Sequence, residues 1–188
     1  MNIIADCHIH TLASQHAYSS INEIVRHAEE ISLPVIGLSD HGPAMLDGPR
    51  EYYFSNLVVI PESIGNVRIL KGIELNILDD AGHVDLRQSL LRQLDYSIAS
   101  FHPGISPINY GKDDFTRGYL GAMDNPEIRI LGHIDNPMVP FELDPVLDKA
   151  AATQTLLEIN NASYCHVRPG SYERGLEIFS RSRDLKIQ

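Results

Sequence analysis

The stretch Ile3-Ile4-Ala5-Asp6-Cys7-His8-Ile9-His10 reads as a short apolar strand that ends in two histidines. Side chains alternate across a strand, so the imidazoles of His8 and His10 leave from one face while Cys7 points to the other, toward a covering helix. Two imidazoles side by side on rigid backbone make half of a metal site. His16, outside the strand, is placed to reach the same pocket or a second ion.

Working outward, the same arrangement recurs. Ser20-Ile21-Asn22-Glu23 has the pattern of a capping box, and Ile21, Ile24, Val25, Ala28 and Ile31 follow at helical spacing. After Pro34, Val35-Ile36-Gly37-Leu38 reads as a buried strand running into Ser39-Asp40-His41. Residues 44–66, rich in Pro and aromatics, read as a loop with one short helix. Val67 to Ile73 reads as a third strand that ends at Glu74, and Tyr96 to Phe101 as a fourth that ends at His102. Ile128 to Gly132 leads to His133, and Leu156 to Asn161 gives a sixth strand. Helices are predicted around 86–94, 113–123, 145–153 and 171–184 between and after these strands.

Each strand-plus-helix unit takes about thirty residues, the size of a βαβ crossover, so the pattern predicts an α/β fold with a parallel sheet and helices outside it. In α/β barrels the chemistry sits at the C-terminal strand ends, where loops of adjustable length converge over a rigid core. Here five consecutive strands end at His8/His10, His41, Glu74, His102 and His133. His27 and His83 lie elsewhere and read as solvated surface residues; His166 is open between ligand, substrate contact and surface.

Neutral imidazoles with one carboxylate favour zinc, manganese or iron over calcium or magnesium, which want oxygen ligands. Six histidines and a glutamate exceed what one tetrahedral ion uses, so a cluster of two or three ions is implied, with Glu74 the natural bridge. Arg168, after the sixth strand, reads either as a phosphate contact or as a plain surface arginine.

The size suits one domain: 188 residues bury most of the surface that an unfolded chain exposes. Fifteen Lys and Arg against 25 Asp and Glu give −10, which argues against nonspecific binding to nucleic acid or anionic lipid. No apolar run approaches a membrane span and no signal peptide is evident, so a cytoplasmic address is expected. Two cysteines, Cys7 and Cys165, are too few for a disulfide framework.

His8-Ile9-His10, His16, Ser39-Asp40-His41-Gly42-Pro43, Gly72-Ile73-Glu74, Phe101-His102-Pro103, Gly132-His133 and Leu157-Glu158-Ile159-Asn160-Asn161 together resemble the PHP (polymerase and histidinol phosphatase) family, in order and over nearly the whole chain. Within it the chain is most similar to the small stand-alone bacterial phosphatases. The resemblance implies a single PHP domain over 1–188, a distorted TIM-like barrel of seven βα units, and up to three divalent ions that hydrolyse a phosphate ester through a metal-bridging hydroxide. Carried over by position, His8, His10 and Glu74 would bind a first ion, Glu74, His102 and His133 a second, and His16 with His41 a third. The substrate implied is a small phosphorylated metabolite.

Members of the family end their seventh strand with Gly-Ser-Asp-x-His, a motif this sequence lacks. By its own rhythm the chain holds about six βα units, with Leu185-Lys186-Ile187-Gln188 reading as the opening of a seventh strand. That implies a C-terminally incomplete domain, two missing ligands and an open barrel edge that a second copy would cover. The alternative expectation is a catalytically inactive remnant that binds metal or needs a partner chain.

Overall fold

Ser20 starts the first helix as the sequence predicts. Its side chain accepts from the Glu23 N–H, and the Glu23 carboxylate accepts from the Ser20 N–H at 2.8 Å, which satisfies donors at the end of α1 (Ile21–Glu30). This computed structural model describes residues 3–107, 109–161, 163 and 168–185. The chain divides into two compact units, Met1–Leu75 with Leu86–Ser97, and Asn76–Asp85 with Ile98–Gln188.

In the first unit, β1 (Asp6–Ile9), β2 (Val35–Leu38), β3 (Ser63–Ile64) and β4 (Val67–Lys71) form a sheet of order β1-β2-β4-β3. β1, β2 and β4 are mutually parallel, the last two in unbroken register from Val35↔Arg68 to Leu38↔Lys71. Val25 and Ala28 of α1 pack on Ile36, Leu38, Val67 and Ile69, so the predicted helical stripe and the predicted strands meet in one core. α2 (Glu51–Asn56), followed by a 3-10 turn at Leu57–Val59, is the short helix expected within 44–66.

Three boundaries differ from the sequence reading. Ile3 and Ile4 are exposed and precede β1, because the partner strand starts only at Val35, after Pro34, and offers nothing earlier to pair with. The sequence reading has no counterpart of β3, which is joined to β4 antiparallel through the two-residue turn Gly65-Asn66, with Gly65 at φ 58°. The third strand does not run through to Glu74. It stops at Lys71, whose N–H donates to the Asp95 carboxylate at 2.7 Å, and the chain restarts as β5 (Glu74–Asn76).

Tyr96 explains that break. Its ring occupies the space that a side chain at Gly72 would need, with a Cβ there only 2.4 Å from ring carbons. Its hydroxyl donates to the Cys7 carbonyl at 2.7 Å, beside Gly37 of β2. Burial raises the Tyr96 phenol well above its ordinary value, so it stays a neutral donor under the sheet.

β5 contributes Glu74 and Leu75 to the first unit and Asn76 to the second. The second sheet has order β5-β6-β7-β8, with β6 (Ile98–Ser100), β7 (Ile130–Leu131) and β8 (Leu156–Leu157) parallel. These strands are shorter than predicted. α3 (Gln88–Leu91) belongs to the first unit, and α4 (Lys112–Ala122), α5 (Leu143–Thr153) and α6 (Ser171–Leu185) to the second. Phe101 meets Phe115 and Tyr119 edge-on at 4.9 and 5.0 Å, and Arg174 lies 4.4 Å from the centre of the Phe141 ring. Leu185, expected to open a seventh strand, is the last residue of α6; residues 186–188 of that expected strand lie outside the described residues.

A Cβ at Gly37 would fall 2.3 Å from the Tyr96 hydroxyl and 2.9 Å from the Cys7 backbone. Gly37→Ala is therefore expected to lower the unfolding free energy by about 1–3 kcal/mol, the range for overpacking, as read from urea denaturation midpoints.

Candidate metal centre

In the first unit the end of β1, the loops that follow β1 and β2, and the start of β5 bring four predicted histidines and Glu74 together. The register of β2 extends past its end: the Glu74 N–H donates to the Asp40 carbonyl at 3.1 Å and the Gly42 N–H to the Glu74 carbonyl at 2.7 Å, which places Glu74 beside His41. Its carboxylate is 1% exposed. His8 Nε2 lies 3.3 Å from one oxygen, while His10 Nε2 and His41 Nδ1 lie 3.5 and 2.9 Å from the other.

Those separations carry information. The His8 and His10 contacts are longer than ordinary N–H···O bonds, which centre near about 2.9–3.0 Å. Two donors sharing one tetrahedral zinc, each about 2.0–2.1 Å from it, stand about 3.3–3.4 Å apart. His8, His10 and Glu74 offer donor atoms all within 4.8 Å of one another, as do His10, His16 and His41. The His10 and His41 rings are 4.4 Å apart and those of His16 and His41 5.0 Å apart.

Protonation agrees with the spacing. Burial pulls His10 down to about 4; the Glu74 charge works against this, and His41 and His8 add to the lowering. His10 is then neutral at pH 7 and keeps a lone pair for a cation, while its Nδ1 is buried without a hydrogen-bond partner. The residues present fit a divalent metal.

The second unit holds the remaining predicted ligands. His102 and His133 are buried, with ring centres 5.2 Å apart, edge to face. His133 has φ 32°, in the left-handed region, and its N–H donates to the Glu158 carboxylate at 2.6 Å. Arg168 is partly buried, and its Nη1 is buried with no hydrogen-bond partner. His27 and His83 are exposed and contact Glu30 and Asp79, as expected of surface residues. His166 lies outside the described residues.

The PHP domain model matches residues 6–164. The chain belongs to the PHP family. Among PHP relatives it is 42% identical, over all of its length and 74% of the other chain, to a probable phosphatase of Caldanaerobacter subterraneus subsp. tengcongensis. It is 43% identical to a probable phosphatase of Syntrophotalea carbinolica, over 88% of this chain and 69% of that one. In fold it is similar to the crystal structure of a histidinol phosphate phosphatase from Lactococcus lactis complexed with zinc, L-histidinol and phosphate. That likeness has TM-score 0.66 at 17% identity and covers 96% of this chain and 81% of that one. A putative histidinol phosphatase from Listeria monocytogenes gives TM-score 0.66 at 15% identity, over 97% and 92% of the two chains.

The candidate ligands rest on residues that the sequence reading did not single out. Asp40, 1% exposed, accepts from the Thr11 N–H at 2.7 Å, the Thr11 hydroxyl at 2.8 Å, the Ser14 hydroxyl at 2.7 Å and the Tyr53 hydroxyl at 2.6 Å. Four donors fill a carboxylate's lone-pair sites. Ser14 Oγ in turn accepts from the His41 N–H at 3.0 Å, so one carboxylate ties the loop that carries His16 to the backbone of His41. The sequence signal was the Asp inside Ser39-Asp40-His41, adjacent to a candidate ligand and preceded by an apolar strand. Asp47, in the loop after His41, contacts His16 Nδ1.

Asp40→Asn replaces an acceptor oxygen with an NH2 that faces donors. It is expected to lower stability by at least about 1.5–3 kcal/mol, the worth of one hydrogen bond to a charged group, as measured by thermal unfolding of the metal-free protein.

Proposed function

We propose that the chain is a metal-dependent phosphoesterase that hydrolyses a small phosphorylated metabolite, and that both units belong to one PHP domain built on the distorted barrel its family resemblance implies. The observation that carries the reading is the buried Glu74 carboxylate with the Nε2 atoms of His8 and His10 at 3.3 and 3.5 Å, a spacing suited to donors that share a cation. The 42% identity to a probable phosphatase over the full chain supports the hydrolase activity.

The proposed ligands, for up to three ions, are those of the family pattern: His8, His10, His16, His41 and Glu74 in the first unit, and His102 and His133 in the second. Divalent ions held there supply Lewis acidity toward phosphoryl oxygens and lower the pKa of the attacking water. Zinc, manganese and iron suit the imidazole-rich set, and zinc is present in the similar Lactococcus lactis structure. Burial keeps His10 neutral so that its lone pair stays available. Arg168 is assigned to a phosphoryl oxygen, which its buried, unpartnered Nη1 would satisfy.

The formal charge of −10 disfavours a polyanionic partner, and among the described residues no helix is long and apolar enough to cross a membrane. A small phosphate monoester is the substrate class this reading takes.

The purified chain is expected to release phosphate from p-nitrophenyl phosphate with added zinc or manganese, and to lose that activity on chelation and regain it on metal return. Glu74→Gln or His10→Ala should reduce kcat/KM by about 100-fold or more, roughly 2.7 kcal/mol or more of transition-state stabilisation. Full activity in either variant, or in the presence of chelator, would overturn the reading. Arg168→Gln is expected to raise KM by about tenfold or more, since a charge-assisted contact to phosphate is lost; steady-state kinetics on the same substrate measure it.

A further inference from the structure

Asn76 is fully buried at the end of β5, where its polar groups join Asp85 to His102. Its N–H donates to one Asp85 oxygen at 2.9 Å and its Nδ2 to the other at 2.6 Å, while its Oδ1 stands 2.8 Å from His102 Nδ1. Asp85 is brought there by the return of the chain after β5: Ile77 and Val84 pair antiparallel, and the Leu78 N–H donates to the His83 carbonyl at 2.8 Å.

A carboxylate only accepts. Both of its oxygens are engaged by donors of Asn76, so the amide is held with Nδ2 toward Asp85 and Oδ1 toward His102, and the opposite amide orientation would set oxygen against oxygen. An amide oxygen also only accepts. The contact to His102 therefore requires hydrogen on Nδ1, which leaves the lone pair on Nε2.

We propose that Asp85 and Asn76 are positioning residues that commit His102 to the Nδ1–H tautomer and so preset Nε2 as the ligand atom. The inference rests on the metal-dependent reading of His102 above. Neither residue is proposed as a ligand; they act through the imidazole, as acceptors behind metal-bound histidines do generally. The Asp85 side chain fixes the amide and the amide fixes the ring, so an isosteric change at 85 is felt at Nε2.

The full-length chain, labelled with 15N-histidine and stripped of metal, tests this by long-range 1H–15N correlation at pH 8, with His102 assigned by comparison with His102→Gln. His102 is expected in the Nδ1–H form. Asp85→Asn, whose amide at 85 can donate as well as accept, should let the Nε2–H form gain population and weaken zinc binding at the His102 site about 10–100-fold by calorimetric titration. Combining Asn76→Asp with Asp85→Asn reverses the donor between the two positions but restores an acceptor toward His102. It should return the tautomer and bring zinc affinity to within a few-fold of the parent.

The proposal is overturned if the parent shows His102 as Nε2–H, if Asp85→Asn changes neither tautomer nor affinity, or if the cooperatively folded double variant fails to recover. If Asp85→Asn does not fold, the parent tautomer and the double variant decide. A chain that shows the expected tautomers yet binds no zinc would sink the phosphoesterase reading and leave the hydrogen-bond relay standing.

Discussion

Glu74 sets the terms for the whole site. A carboxylate that is 1% exposed must be met by positive charge or by donors, and what surrounds it in its own unit is imidazole. A neutral imidazole offers a carboxylate one N–H but no charge, and burial and the neighbouring histidines pull His10 down to about 4. The carboxylate charge is therefore not matched by a protonated His10 at neutral pH, and a divalent cation fits both groups. The chain concentrates lone pairs where an apolar core would exclude them.

That concentration is held from behind. The carboxylate of Asp40 gathers the loop 11–14 onto the backbone next to His41, and Glu158 receives the backbone of His133. Asp85 reaches His102 through Asn76. In each case an acidic side chain spends its lone pairs on donors of the chain and not on the proposed ion. The functional groups are thus fixed by polar contacts with defined donors and acceptors, which is why their orientation can be argued atom by atom.

The succession of the main strands and helices was legible in the sequence because it obeys short-range rules, apolar runs of strand length and helical spacing after a capping box, and the candidate ligands stood out as a histidine or glutamate just past five of those runs. The break at Gly72 was not legible, since it comes from a ring more than twenty positions later, Tyr96, that fills the space a side chain there would take. The β3–β4 hairpin had a signal in Gly65-Asn66, a turn dipeptide between two short apolar segments, which the loop-like composition of 44–66 outweighed. Asn76 and Asp85 were not legible, and Asp40 and Glu158 stood out only as members of motifs, because nothing local separates a residue that supports a candidate ligand from one on the surface. Only the pairing of distant segments does.

His133 shows what such a site demands of the backbone. A β-carbon at φ 32° is out of place by on the order of 1–3 kcal/mol, and the residue most at ease there is glycine, the type found one step earlier at Gly132. If His133 holds a cation as proposed, stability and function ask for different amino acids at this position: glycine would relax the backbone, and only a side chain with a lone pair would serve the ion.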